Sequence, residues 1–201
     1  MKPINLLIIL LIMNFASCVA IVKWRYGITN PKEQTPATLQ AFIHRHKYPD
    51  SCLFIFNDSA SCFQSMRNAD FRKNMFSHMV FDSKGSLLQR DTTQCQWSGY
   101  KTIRALSPDS VYLKHNGLQL GEILARIHPI GQNSWRDALR ERVDFTVVIT
   151  WAKFLGSCNT PLFELSDAVR QNKAARISLI WLNIDMQESW NLTKSQKLEL
   201  K

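Results

Sequence analysis

Three stretches of the chain are apolar almost without a break: CLFIF (52–56), FTVVIT (145–150) and RISLIWLNID (176–185). Runs of this length that do not alternate predict strands covered on both faces, as in the middle of a parallel sheet. Around them the spacing turns helical. In TPATLQAFIHRHK, Thr35 suits a cap, Pro36 suits the first turn, and Leu39, Phe42, Ile43 and His46 share a face. SCFQSMRNADFRK also predicts a helix, as do LGEILARIH (120–128, stopped by Pro129), WRDALRERV (135–143) and the stretch around Leu162, Leu165 and Val169. HMVFDSKGSLLQR reads as two short strands joined by the DSKG turn. Residues 92–117 hold no sustained period, and NLTKSQKLELK reads as a frayed polar end. Helices alternating with buried strands predict an α/β fold, a three-layer sheet with flanking helices and at least part of the sheet parallel. One echo runs through the pattern: an Asp, an apolar strand, Ser-Cys and a helix occur from Asp50 to Arg72 and again from Asp144 to Arg170, with unequal spacing.

The amino terminus adds a compartment. Lys2, an apolar run from Leu6 to Met13 and small residues at Ser17, Cys18 and Ala20, before charge resumes at Lys23 and Arg25, have the layout of an export signal. Three fates are compatible with it: cleavage after Ala20, lipidation of Cys18 in the lipobox-like FASC, or retention as a membrane anchor, since Ile4 to Val22 gives 19 residues. The expected organisation is therefore a signal or anchor at 1–20, a tether at 21–34, one α/β domain at 35–190 and a polar tail at 191–201. An exported location, in the periplasm, cell envelope or outside the cell, follows, with membrane attachment through the amino-terminal segment if it is lipidated or uncleaved.

Charge and cysteines narrow the chemistry. The net charge is +9, but the basic residues are scattered singly or in pairs, without the basic arm or finger motif of a nucleic-acid binder. Outside the signal, Cys52, Cys62, Cys95 and Cys158 allow two disulfides in three pairings, or four buried thiols. No Cys-x-x-Cys or Cys/His spacing suits zinc, and His44 with His46 fits a solvated helix face, so no metal or other cofactor is expected. The chain has no phosphate loop and no Ser-His-Asp arrangement in a recognisable context.

One junction carries candidate chemistry. TWAKFLGSC (150–158) takes the apolar strand through a glycine turn into a helix, with a thiol at the junction. From residue 144 to about 190, the strand, Trp151-Ala152, Phe154, Gly156, Cys158, the helix with FEL and the strand ending in LNID resemble the β-α-β core of thioredoxin-like proteins. In that family the stretch reads Trp-Cys-Gly-Pro-Cys, so the resemblance puts Cys158 at the resolving cysteine and Leu155 at the missing nucleophile. It implies a binding surface at Trp151, Phe154, Leu155 and Gly156 for a protein or peptide. Leucine cannot attack a disulfide, and a thiol without a neighbour cannot resolve a mixed one. Three functions are thus in play: an exported thioredoxin-like interaction module without redox turnover, a thiol-disulfide oxidoreductase pairing Cys62 with Cys158, and an unrelated exported α/β protein. The family's two later strands and last helix have no counterpart after residue 185, unless HMVFDSKGSLLQR and LGEILARIH supply them from the amino-terminal side.

Overall fold

The computed structural model describes residues 21–46, 53–89, 98–130 and 143–199. Among the described residues, seven strands form one open sheet: β1 Leu53–Phe56, β2 His78–Asp82, β3 Ser86–Leu88, β4 Lys114–Gln119, β5 Ile127–Pro129, β6 Phe145–Trp151 and β7 Ile177–Asn183, in the order β4-β3-β2-β6-β7-β1-β5. β6, β7 and β1 run parallel; β2, β3 and β4 add antiparallel strands at one side, and β5 adds one at the other. The three parallel strands are the three apolar runs, and β1 and β6 are buried along their whole length.

Burial on both faces follows from strand alternation. Val147, Ile149 and Trp151 point to one side, into a core closed by Leu39 and Ile43 of α1 (Pro36–Arg45), Ile103 of α4 (Ser98–Arg104) and Leu162, Phe163 and Leu165 of α6 (Thr160–Gln171). Val148 and Ala152 point to the other, against Cys62 of α2 (Ser59–Arg67), Phe71 of α3 (Ala69–Lys73) and Ile123 of α5 (Leu120–Leu124). The result is an α/β sandwich with helices on both faces of a mixed sheet. The two strand-Cys-helix echoes lie in this one sheet, separated by β7, with their helices on opposite faces.

Several elements differ from the pattern-based expectation. The helix expected through SCFQSMRNADFRK breaks at Asn68, whose backbone is extended and whose side chain accepts from Asp70 N at 2.9 Å and Phe71 N at 3.1 Å. Asparagine favours this capping role over a helix interior. LGEILARIH is helical only to Leu124; Ile127–Pro129 leaves it as β5 and pairs with β1, on an outer strand where proline's missing N–H costs no ladder bond. α4 and β4 occupy the stretch without a period. The expected frayed end contains α7 (Lys194–Glu199), with Lys197 Nζ 2.8 Å from Glu33. The stretch read as a tether is helical at 21–26 and joins the domain: Gln34 N donates to Met186 O at 2.8 Å, and Glu188 N donates to Gln34 O at 2.9 Å. WRDALRERV lies outside the described residues except for Val143, as do Cys18, Cys52 and Cys95.

Candidate functional site

The site is built where β6 ends. After Trp151, Ala152 stays extended, and Lys153–Asn159 coils into a 3-10 turn broken at Gly156, with φ 55° and ψ −128°. That left-handed φ suits glycine, and a Cβ there would also meet the carbonyl oxygens of Tyr26 and Gly27, the latter at 2.5 Å. Asn159, fully buried, ties the two ends of the turn together by donating to Ala152 O at 2.8 Å and Gly156 O at 3.0 Å. Phe154 and Leu155 turn inward against the core of the α2–α3 face, where Phe154 meets the edge of Phe76 at 6.1 Å. Leu155 is thus a packing residue.

Cys158 emerges half-buried, two residues before α6. It lines a cavity of about 190 Å³ together with Phe76, Ser77 and His78 at the entry to β2, Tyr100 of α4, and Pro161, Leu162, Glu164 and Leu165 of α6. Phe76 has φ 60°, which a non-glycine residue adopts only where its surroundings hold it. Those surroundings are β6 itself: Thr150 N donates to Ser77 O at 3.0 Å, while Ser77 N closes a turn onto Asn74 O at 3.1 Å. The cavity walls are aromatic and aliphatic, with His78 and Glu164 supplying the polar edge.

Of the residues singled out from sequence, Gly156 shapes the turn and Cys158 reaches the cavity. Trp151 does not reach it. Its ring is fully buried on the α1–α6 face, stacked on Phe42 at 5.4 Å, and its indole N–H has no acceptor among the described residues. Cys62 lies in the core of the opposite face, 1% exposed, where burial pushes its thiol up to about 12. Both described cysteines are free thiols. Cys62 packs in the cluster of the α2–α3 face and does not line the cavity that Cys158 reaches.

No family model matches the chain, and no curated protein or solved structure matches it. The site's chemistry therefore rests on its own residues. Among the described residues no three His, Cys, Asp or Glu side chains gather as a metal centre would need.

Beneath the turn lies a polar cluster that residue patterning did not single out. Asp185, 2% exposed, accepts from Lys153 N at 2.6 Å and from Asn183 Nδ2 at 2.7 Å. Gln187 Nε2 donates to Asp185 O at 2.7 Å, and Lys153 Nζ reaches Gln34 Oε1 at 2.8 Å. Burial raises the Asp185 carboxyl above its ordinary value, although the Asn183 amide and the Lys153 backbone N–H that it accepts from favour the charged form. The cluster pins Lys153, the first residue of the turn, to the end of β7. Its sequence signal was LNID, an apolar strand that ends in alternating polar residues. The entry to β2 had a signal as well, in the histidine that opens the apolar run HMVF.

Proposed function

We propose that this protein is an exported thioredoxin-like binding module without dithiol turnover, which takes an extended peptide against the cavity beside Cys158. The observation that carries the reading is the meeting of Cys158 with Phe76, Ser77 and His78. A thiol at the head of a helix faces the strained entry to a strand that runs antiparallel to the thiol's own strand. In thioredoxin-like proteins the loop before such a strand touches substrate, and the hairpin β2–β3 beside β6 has the position that a hairpin donated from the amino-terminal side would need. Export rests on the apolar amino-terminal stretch flanked by Lys2 and by Lys23 with Arg25.

The absence of turnover follows from the chemistry of disulfide exchange, which needs an attacking thiolate and a second thiol to resolve the intermediate. Leu155 fills the first slot with a packed hydrocarbon, and Cys62, the other described thiol, is buried on the far face and held protonated. What remains is binding. About 190 Å³ is less than the ~300 Å³ at which small-molecule pockets begin, so it fits one or two side chains of a chain laid across the surface.

Two measurements test the reading. An insulin-reduction assay is expected to show no turnover above the uncatalysed rate; turnover abolished by Cys158→Ser would make the protein an oxidoreductase instead. Reduced, carboxymethylated α-lactalbumin, a permanently unfolded chain, is expected to bind, and Phe76→Gly to weaken that binding at least tenfold. Glycine accepts the positive φ, so the variant keeps its fold while losing the aromatic wall. Absence of binding by the folded wild type, or binding indifferent to Phe76→Gly, would end the proposal.

A further inference from the structure

Residues 21–26, IVKWRY, are helical and exposed at every position, and four of the six are large and apolar: Trp24 is 84% exposed, Ile21 60%, Val22 48% and Tyr26 46%. On a helix these four point in different directions, so they form no one-sided stripe of the kind a protein groove accepts. Six residues are also too few to hold a helix in water without support. Yet the segment is not loose. Thr29 N donates to Phe154 O at 2.9 Å, Ser157 Oγ donates to Tyr26 O at 3.0 Å, and Gly156 leaves no room for a Cβ against the backbone of residues 26 and 27. The domain grips the backbone of 26–29 and leaves the side chains of 21–26 facing outward.

We infer that residues 21–26 are the interfacial end of a retained amino-terminal membrane anchor, lying in the headgroup layer of an anionic phospholipid bilayer and holding the 153–157 turn at its surface. The preceding chain says what covers them. Ile4 to Ala20 contains 17 residues without a charge, the lower end of the length that spans a bilayer core, and it runs through Ile21 and Val22 into Lys23, Trp24, Arg25 and Tyr26. Tryptophan and tyrosine concentrate at the membrane–water boundary, and lysine and arginine beside them reach anionic headgroups. Cleavage after Ala20 would sever the chain just before this helix and leave its apolar side chains in water, whereas lipidation of Cys18 would hold them at the same surface by acyl chains instead of a peptide span. Among the described residues no helix is long and apolar enough to cross a membrane. This anchoring stands independently of what the cavity binds.

The test uses the full chain, extracted from membranes and reconstituted in vesicles of phosphatidylcholine with phosphatidylglycerol. Its mass is expected to include the segment before Ile21, unmodified at Cys18. Phosphatidylcholine brominated near the headgroup is expected to quench the tryptophan emission, and Trp24→Phe to remove most of that quenching. In the Trp24→Phe background, Ser157→Trp is expected to restore shallow quenching, because the turn rides on Tyr26. A chain beginning at Ile21 or at a lipidated Cys18, or quenching unchanged by Trp24→Phe, would overturn the inference. So would a lipid-free dimer that shields Trp24 from iodide, which would assign the surface to a second copy. Ser157→Trp left unquenched at an unchanged thermal midpoint would detach the turn from the bilayer.

Discussion

Two passages from strand to helix, both marked by Ser-Cys, end in opposite ways. From β1 the chain goes through Asn57 and Asp58 directly into α2, whose amino terminus Asp58 caps by accepting from Ser61 N at 2.7 Å. Cys62 is then the fourth helical residue and falls on the inward face, against the aromatic core. From β6 the chain makes the turn Lys153–Asn159 before α6 begins, and Cys158 precedes the helix and looks into the cavity. The offset between cysteine and helix start, more than the residue types, separates a thiol that packs from one that meets solvent. A thiol's reactivity follows its access and its thiolate fraction, so only the second passage offers chemistry.

The largest test of this contrast is Gly156→Ala. A left-handed φ combined with a collision against the Tyr26 and Gly27 carbonyls is expected to cost about 2–4 kcal/mol in urea unfolding. A loss below about 1 kcal/mol would mean that the turn is not locked from outside.

Next come the cysteines themselves. Cys62→Ala removes a buried sulfur from a closed core and is expected to cost about 1 kcal/mol, while Cys158→Ala is expected to stay within about 0.5 kcal/mol of wild type. Equal costs would erase the distinction. In the folded protein at pH 8, iodoacetamide is expected to label Cys158 and to reach Cys62 only on unfolding, as peptide mapping of the labelled chain would reveal. Early labelling of Cys62 would refute its burial.

The smallest effect is one of sign. Asp58, which supports the first passage, has its carboxyl lowered by the hydrogen bonds it accepts at the head of α2, chiefly from the Ser61 backbone. Its contribution is present above 3.8, the ordinary aspartate value, and is lost as pH falls through its lower folded value. Asp185, which supports the second, is raised by burial, so its contribution is complete below 3.8 and is lost as pH climbs through its higher folded value. Relative to wild type, Asp58→Asn is expected to be less stable above 3.8 and to close that gap as pH falls below it. Asp185→Asn, whose amide oxygen still accepts from Lys153 N and Asn183, is expected to gain stability as pH rises from 4 to 7. Thermal midpoints from pH 2 to 7 check both. Parallel trends for the two variants would show that the passages do not differ electrostatically.

The apolar runs at 53–56, 145–151 and 177–183 were legible in the sequence because strands covered on both faces need an uninterrupted hydrophobic stretch, and no other element of that length does. The cap at Thr35 and the turn in DSKG were legible for a similar reason, since each is a local residue preference. The glycine-cysteine junction was legible as a place, because a strand must turn before it becomes a helix. What tertiary structure alone decided was who meets whom there. Phe76, Ser77 and His78 reach Cys158 because β2 pairs antiparallel with β6, and β4 forms from a stretch without a period because β3 offers it an edge. Trp151 and Cys62 turn away from the cavity because strand alternation and helix phase assign them to cores on opposite faces of the sheet. Pairing between distant segments depends on the whole chain's register, and no window of sequence contains it.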